Sequence, residues 1–394
     1  MKPGVLLAIG LLLSGCSWFG HKDEVKPAEL KPFKQEVHLK RAWDRRIGHA
    51  ARDRASKLVP ALSGGRVFAA SGDGTIRAMT TDNGKVLWTR RVQEFFPKAE
   101  QDAAFAAKSD AIMGGVGAGQ DIIVVGTFGG DLVALNQSDG SLAWKSRTTS
   151  EVLSPPQIRD DLVVAQTIDG KVSAYNALDG KRLWVYNTTI PSLTLRGTST
   201  PILDGQHVIA GFANGHVALI DDKKGIATVD QRIAIAKGKS DLDRLIDVDG
   251  QMAIDKGILF AASYQGNLVA MSLSAGRVMW SKPASSYAGV AVGFDNVYLS
   301  SADGTLTAYS EVNGDQEWTT DALKNRRLTA PATISSYVAV GDFEGYIHLL
   351  AQSDGRFVGR ERVEHGALTS PFVVDGARLY IQTRSGLLFA YDLR

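Results

Sequence analysis

The sequence predicts an all-β fold, an eight-bladed β-propeller closed into a ring by its own two ends. Three observations predict it. A phrase of the form Gly-turn, alternating strand, Gly-turn, strand-ending-in-Trp recurs along the chain: DGTIRAM…DNGKVLW ends at Trp88, GDLVAL…SDGSLAW at Trp144, DGKVSAY…LDGKRLW at Trp184, QGNLVAM…SAGRVMW at Trp280 and DGTLTAY…VNGDQEW at Trp318. The first glycine of each copy forms the series Gly74, Gly130, Gly170, Gly215, Gly266, Gly304, Gly345, Gly386. Successive copies stand 38 residues apart at the closest (Gly266 to Gly304) and 56 at the widest (Gly74 to Gly130). A repeat of roughly 40 residues holds four short strands and their turns, one propeller blade. Third, the last copy, SGLLFAYDLR, stops one strand short at Arg394, while HLKRAWDRRIG near the start supplies a Trp43 strand with no copy of its own. Residues 37–47 are therefore expected to pair with 386–393 and leave no open end blade.

Within a copy the periods are those of strands. GKVSAYNALDG places a partly alternating run between two glycine turns, and the DLVVAQTID before it is a continuous apolar run, as in a strand buried on both faces. Several copies open on Ser or Thr followed by Pro (SPPQI, STPIL, LTAPATI, LTSPFVV), and proline is tolerated where a strand begins. The Trp is expected to plug the space between neighbouring blades. The fourth copy (NGHVALIDDKKGIATV) and the seventh (EGYIHLLAQSDGRFVG) lack it.

The first residues, MKPGVLLAIGLLLSGC, combine one Lys, an apolar run too short to span a bilayer, and Leu-Ser-Gly-Cys. They resemble a bacterial lipoprotein signal: residues 1–15 a signal peptide, Cys16 lipidated as the first mature residue. Ser17 in place of Asp resembles the outer-membrane-sorted class. Cys16 is the sole cysteine, which excludes disulfides, zinc clusters and cysteine catalysis from the mature domain. Residues 16–36, rich in Lys, Glu and Pro, read as a flexible tether reaching at most roughly 65–70 Å. Residues 37–394 are the propeller. Net charge is +2, or +1 once Lys2 is lost with residues 1–15, so no nucleic-acid footprint is expected.

No catalytic or metal site is read. The seven histidines lack metal spacing, and His207 with His216 flank one hairpin as ordinary strand residues. GGVGAGQ, 114–120, leads into a strand rather than a helix and reads as a connector, not a phosphate loop. Aspartates 73, 139, 169, 179, 303 and 354 recur because Asp suits tight turns.

Function is sought where the repeat breaks. Connectors between four-stranded blades all leave on one face, and three are long: 91–119, with a short helix expected in PKAEQDAAFAAKSD; 186–200; and 230–251. The last two flank blade four. They offer Leu193, Leu195 and Arg196 beside Asp247 and Asp249, a candidate protein-docking patch.

These connectors, SLTLRGTSTP and DRLIDVDG, with the lipoprotein signal, the tether and the eight repeats, resemble the BamB family of outer-membrane protein assembly factors over essentially the whole chain. The resemblance implies a non-enzymatic scaffold lipoprotein without cofactor, anchored in the outer membrane on its periplasmic side. It implies a partner, the POTRA domains of BamA, contacted through Leu193, Leu195, Arg196, Asp247 and Asp249. Unfolded outer-membrane protein precursors are a further expected partner, through blade edges. One departure is visible: the family often places Pro after the acidic pair, where this chain reads Gly250-Gln251-Met252. Quinoprotein (PQQ) dehydrogenases share a similar repeat and give the enzyme alternative, but that resemblance implies a longer chain and commonly adjacent cysteines. A lipid-anchored propeller binding saccharide or peptide in its central funnel is the third reading.

Overall fold

The computed structural model describes residues 26–49, 57–98, 111–195 and 197–394. Eight sheets follow one another around a ring, each with four antiparallel strands, and the blade-two sheet carries a fifth. Blade one is Ala61–Ser63, Arg66–Ala70, Thr75–Thr80 and Val86–Arg91. The first strands are mostly three residues long and line the central channel, just after the Ser/Thr-Pro pairs. Second strands are sandwiched between neighbouring blades, so both faces are apolar; all six residues of Leu162–Thr167 are buried, as the continuous run DLVVAQTID implies. Fourth strands lie on the outer rim, where in Val86–Arg91, Leu142–Arg147 and Arg182–Asn187 only the Trp is buried.

The core therefore lies between blades. One cluster joins Val164, Ala174 and Trp184 of blade three to Val208, Ala210 and Phe212 of blade four. Each of the six tryptophans among the described residues reaches over to the next blade. Its indole N–H donates to a backbone carbonyl there: Trp43 to Thr81, Trp88 to Gln137, Trp144 to Ala177, Trp184 to Asp222, Trp280 to Glu311 and Trp318 to Gln352, all at 2.8–3.0 Å. The ring lies flat on the glycine of that blade's last turn. A Cβ on Gly84, at φ +67°, would stand 2.6 Å from the Trp43 ring, so both the turn and the stacking require glycine.

Across the strand, every one of these tryptophans faces an alanine: Ala78–Trp88, Ala134–Trp144, Ala174–Trp184, Ala270–Trp280, Ala308–Trp318 and Ala390–Trp43. The two copies without Trp pair Leu219 with Val229 and Leu349 with Gly359. In blade four Leu and Val together fill about the volume of Ala and Trp; in blade seven the chain at Val37 lies over Gly359, its carbonyl oxygen 2.7 Å from where a Cβ would stand.

The ring closes as expected. Leu39–Arg46 pairs antiparallel with Leu387–Leu393, from Leu39 opposite Leu393 to Arg46 opposite Leu387. The chain then reaches the channel, where Lys57–Leu58 adds in parallel to the first strand of blade two, Ile112–Gly119.

Two expectations change. The 91–119 connector is shorter than read, because Ile112–Gly119 is a strand, and GGVGAGQ is its glycine-rich end rather than free loop. Glycine is needed for close packing: a Cβ on Gly114 would lie 2.4 Å from the Ser154 carbonyl oxygen of the next blade. The helix expected in 97–110 falls, from 99 to 110, outside the described residues.

The second change concerns the tether. Of the expected stretch 16–36, residues 26–36 lie in extended form along blade seven. Ala28 N–H donates to the Lys324 carbonyl at 2.9 Å, and Glu36 and Val37 N–H both reach the Val358 carbonyl. Arg326 donates to the Ala28 carbonyl and Arg360 to that of Lys31, both at 3.0 Å. Phe33 packs 5.7 Å from Phe357, with the Arg360 guanidinium over its face. Phe33 and Leu30 supply the apolar surface that a Lys- and Pro-rich reading overlooked. Residues 1–25, including Cys16, lie outside the described residues.

Candidate partner-docking site

An even number of strands per blade returns every inter-blade connector to the same face, so 188–201 and 233–252 emerge side by side around blade four. Both are slightly shorter than read, since 182–187 and 227–232 are strand. The connectors have little regular structure of their own, and side chains hold them together.

Asp247 and Asp249 alternate with Val248. Val248 is fully buried in the core between blades four and five. The period of two turns both carboxylates the other way, toward residues 195–197. Leu195 N–H donates to Asp247 Oδ1 at 3.0 Å. The Asp249 carboxylate takes the Gly197 N–H. The acidic pair acts as a partner strand made of side chains, satisfying alternate amides of the first connector.

Both carboxylates are buried, at 1% and 5% exposure, whereas Leu193 and Leu195 stand at 41% and 37%. The five residues read as one patch thus divide: two leucines at the surface and two aspartates beneath them. Arg196 lies outside the described residues. Two further apolar side chains of the second connector, Ile235 and Leu242, are more exposed than either leucine. The sequence reading passed over both: Leu242 sits in a polar stretch, KGKSDLDR, that resembles ordinary loop, and Ile235 in the short apolar run IAIA just before it.

Burial raises Asp247 to about 6, with the Asp249 charge adding to it. Burial also raises Asp249, opposed by the cation of Lys57. Lys57, lowered by its own burial, donates from Nζ to the Thr198 carbonyl at 3.0 Å and the Asp249 carbonyl at 2.5 Å. After the acidic pair, where the family resemblance led to an expectation of proline, Gln251 uses its N–H: it donates to the Ala288 carbonyl at 2.9 Å and bridges in parallel to Gly289.

Lys57 and Asp249 also border the central channel, a cavity of about 790 Å³ whose walls include Pro155, Pro156, Pro201 and Pro371. Among the described residues no three His, Cys, Asp or Glu side chains converge as metal ligands. His207 and His216 stand at opposite ends of their hairpin, and His216 meets Asp230 at 2.7 Å. The turn aspartates accept amides within their own turns, as Asp139 does from Ser141 and Asp303 from Thr305.

Fold and site together define an eight-bladed propeller of quinoprotein-like repeats that carries its irregular, leucine-bearing segments on one face. The family model of the outer membrane protein assembly factor BamB matches residues 34–113 and 100–320. The chain belongs to this family. It is 42% identical over 394 residues to the BamB of Pseudomonas aeruginosa, covering 100% of this chain and 99% of that one. It is 37% identical over 392 residues to the BamB of Escherichia coli K12, covering 99% and 98%. The crystal structure of BamB from Moraxella catarrhalis superimposes with a TM-score of 0.78 at 29% identity, over 90% of this chain and 100% of that one. The quinohemoprotein alcohol dehydrogenase of Comamonas testosteroni, at 13% identity and a TM-score of 0.69 over 91% of this chain and 76% of its own, shares the fold alone.

Proposed function

We propose that this protein is a non-enzymatic scaffold of the outer-membrane β-barrel assembly machinery, docking on the periplasmic POTRA domains of BamA. It is held at the periplasmic face of the outer membrane by a lipid on Cys16. The observation that carries this reading is the pair of exposed leucines, Leu193 and Leu195, fixed on a buried acidic ladder in a chain of the BamB family. Two ordered apolar side chains at the mouth of a rigid ring suit an anchor that enters a partner's pocket. Arg196, the next residue in the sequence, would add a charge-assisted contact to the partner. Asp247 and Asp249 serve the interface from below, by shaping it. Outer strands of the blades leave edges to which unfolded barrel precursors add as further strands.

The test is binding of Leu193→Ala, Leu195→Ala and Arg196→Ala variants to isolated POTRA domains. Each hot spot costs about 2 kcal/mol, a roughly thirtyfold loss of affinity, with circular dichroism and melting unchanged. Wild-type affinity in all three would overturn the reading. Replacement of Cys16 by Ser should block lipidation and release the protein from the membrane fraction, without touching affinity for the POTRA domains.

A further inference from the structure

Lys57 belongs to neither docking connector. It lies more than a hundred residues upstream, on the segment that leaves the ring-closing strand and enters the channel. Leu58 beside it is buried in the core of blades one and two, and Lys57–Leu58 pairs with Gly114–Gly115. Val59 N–H donates to the Gly115 carbonyl, and Val116 N–H returns a bond to Val59. The backbone bearing Lys57 is therefore anchored by blade two, a different blade from those the two connectors join, although all border the same channel.

From that fixed base its side chain makes two bonds, one to each connector. The Thr198 carbonyl belongs to the segment bearing Leu193 and Leu195; the Asp249 carbonyl belongs to the acidic ladder. The ladder itself joins the connectors only to each other, through Leu195 with Asp247 and Gly197 with Asp249. Elsewhere each is held to its own neighbouring blades: Ser199 Oγ bonds the Gly211 carbonyl and Gln166, and Val248 N–H bonds the Phe212 carbonyl. Lys57 alone among the described residues brings a cation to the junction. It lies close enough to the buried Asp249 carboxylate to favour its charged form, which among the described residues has otherwise only the Gly197 N–H.

We propose that Lys57 is a positioning residue for the docking face: by tying both connectors to blade two, it holds Leu193 and Leu195 in one arrangement and lowers the ordering cost of binding. The inference rests on the docking reading above. A pre-ordered loop binds more tightly because its entropy is lost on folding rather than on association. Without the ammonium, two carbonyls lose a donor, Asp249 must take up a proton or draw in water, and the ladder loosens. Lys57 itself touches no partner.

The experiment compares the lipid-free mature chain with its Lys57→Met, Lys57→Arg and Leu195→Ala variants. One readout is amide hydrogen exchange; the other is affinity for isolated POTRA domains. Lys57→Met is expected to speed exchange at least tenfold in 193–201 and 245–251 while leaving the rim strand 86–91 unchanged, and to weaken binding about tenfold. Lys57→Arg, which keeps the cation and its donors, is expected to recover most of both. Rescue can also be made chemically. In Lys57→Cys, with Cys16 absent from the lipid-free chain, aminoethylation restores an ammonium at nearly the same reach, and protection of the connectors should return with it. If Lys57→Met fails to fold, the aminoethylated and unmodified Lys57→Cys proteins make the comparison instead. Wild-type exchange in both connectors of the folded uncharged variant overturns the inference. So does loosened exchange with wild-type affinity while Leu195→Ala loses binding. If Leu195→Ala also binds like wild type, the docking reading fails instead, and the exchange data alone decide what Lys57 holds.

Discussion

The backbone N–H of Leu195 donates to Oδ1 of Asp247 at 3.0 Å, so an exposed apolar residue of one connector hangs from a buried carboxylate of the next. The two lie 52 residues apart with all of blade four between them. Presenting the leucine and burying the acid are thus one structural act. A loss of binding in an Asp247 variant reports the shape of the first connector rather than a lost contact with a partner.

The same carboxylate sets a pH dependence. Its value is raised from 3.8 to about 6, so the folded state favours its protonated form. The contribution to stability is fully present below pH 3.8 and is lost as pH rises through about 6. Between pH 7 and pH 5, acidification should therefore gain stability from this group, by about 1 kcal/mol. Asp247→Asn keeps an oxygen for Leu195 and removes the titration. Thermal melts from pH 5 to 8 should show the variant gaining less on acidification than the wild type; parallel profiles would refute the assignment.

Blade seven carries a titration of opposite sign. Arg360 Nε–H donates to His348 Nδ1 at 3.1 Å, which leaves Nε2–H to donate to Asp342 at 2.9 Å. The imidazole is neutral in this arrangement, and burial lowers its pKa despite Asp342. Its contribution is present above about pH 6.5 and is lost as pH falls below that value. A proton on Nδ1 would set N–H against N–H and push away the guanidinium that covers Phe33 and bonds Lys31. Residues 26–36 should become open to proteolysis on acidification. Phe33→Ala should produce the same cleavage at pH 7.5 with little change in the melting of the ring.

Ring closure predicts that Trp43 behaves like an internal Trp. Trp43→Ala and Trp88→Ala should each cost about 3–5 kcal/mol, read as comparable falls in melting temperature. Deleting residues 37–47 should be worse, because the edge of Leu387–Leu393 is left unpaired and invites aggregation. A Trp43→Ala protein that melts like the wild type would show that the terminal strand adds nothing to the ring.

The Ala–Trp and Leu–Val pairings predict a compensated exchange in blade four. Val229→Trp alone should overpack against Leu219 and cost about 1–3 kcal/mol. Leu219→Ala alone should leave a cavity and cost about 2–5 kcal/mol. The double variant rebuilds the pair found in six other blades and should cost less than the sum, a coupling that a double-mutant cycle measures directly. Strict additivity would mean that the two side chains do not share one space.

Much of this architecture was legible in the residues themselves. Blade number, strand order and ring closure follow from local repetition, because each blade buries the same positions against its neighbours and so repeats the same residues. The exchange of Ala for Leu where Trp is lost was visible as well, in the fourth residue after each leading glycine: Ala78 and Ala134, but Leu219 and Leu349. The connectors were recognisable as breaks in that repetition. What they do could not be read along the chain. Asp247 and Asp249 looked like surface charge, and burial beneath Leu195 is a property of how two distant segments lie together. Phe33 looked like part of a free tether until blade seven offered Phe357 and Arg360 as its surroundings. Lys57 carried no signal at all, since a single lysine acquires a role only when the ring brings Thr198 and Asp249 within reach of its ammonium. Local periodicity records what each residue shares with its blade; contacts that occur once, across the ring, leave no period and exist only in the closed tertiary structure.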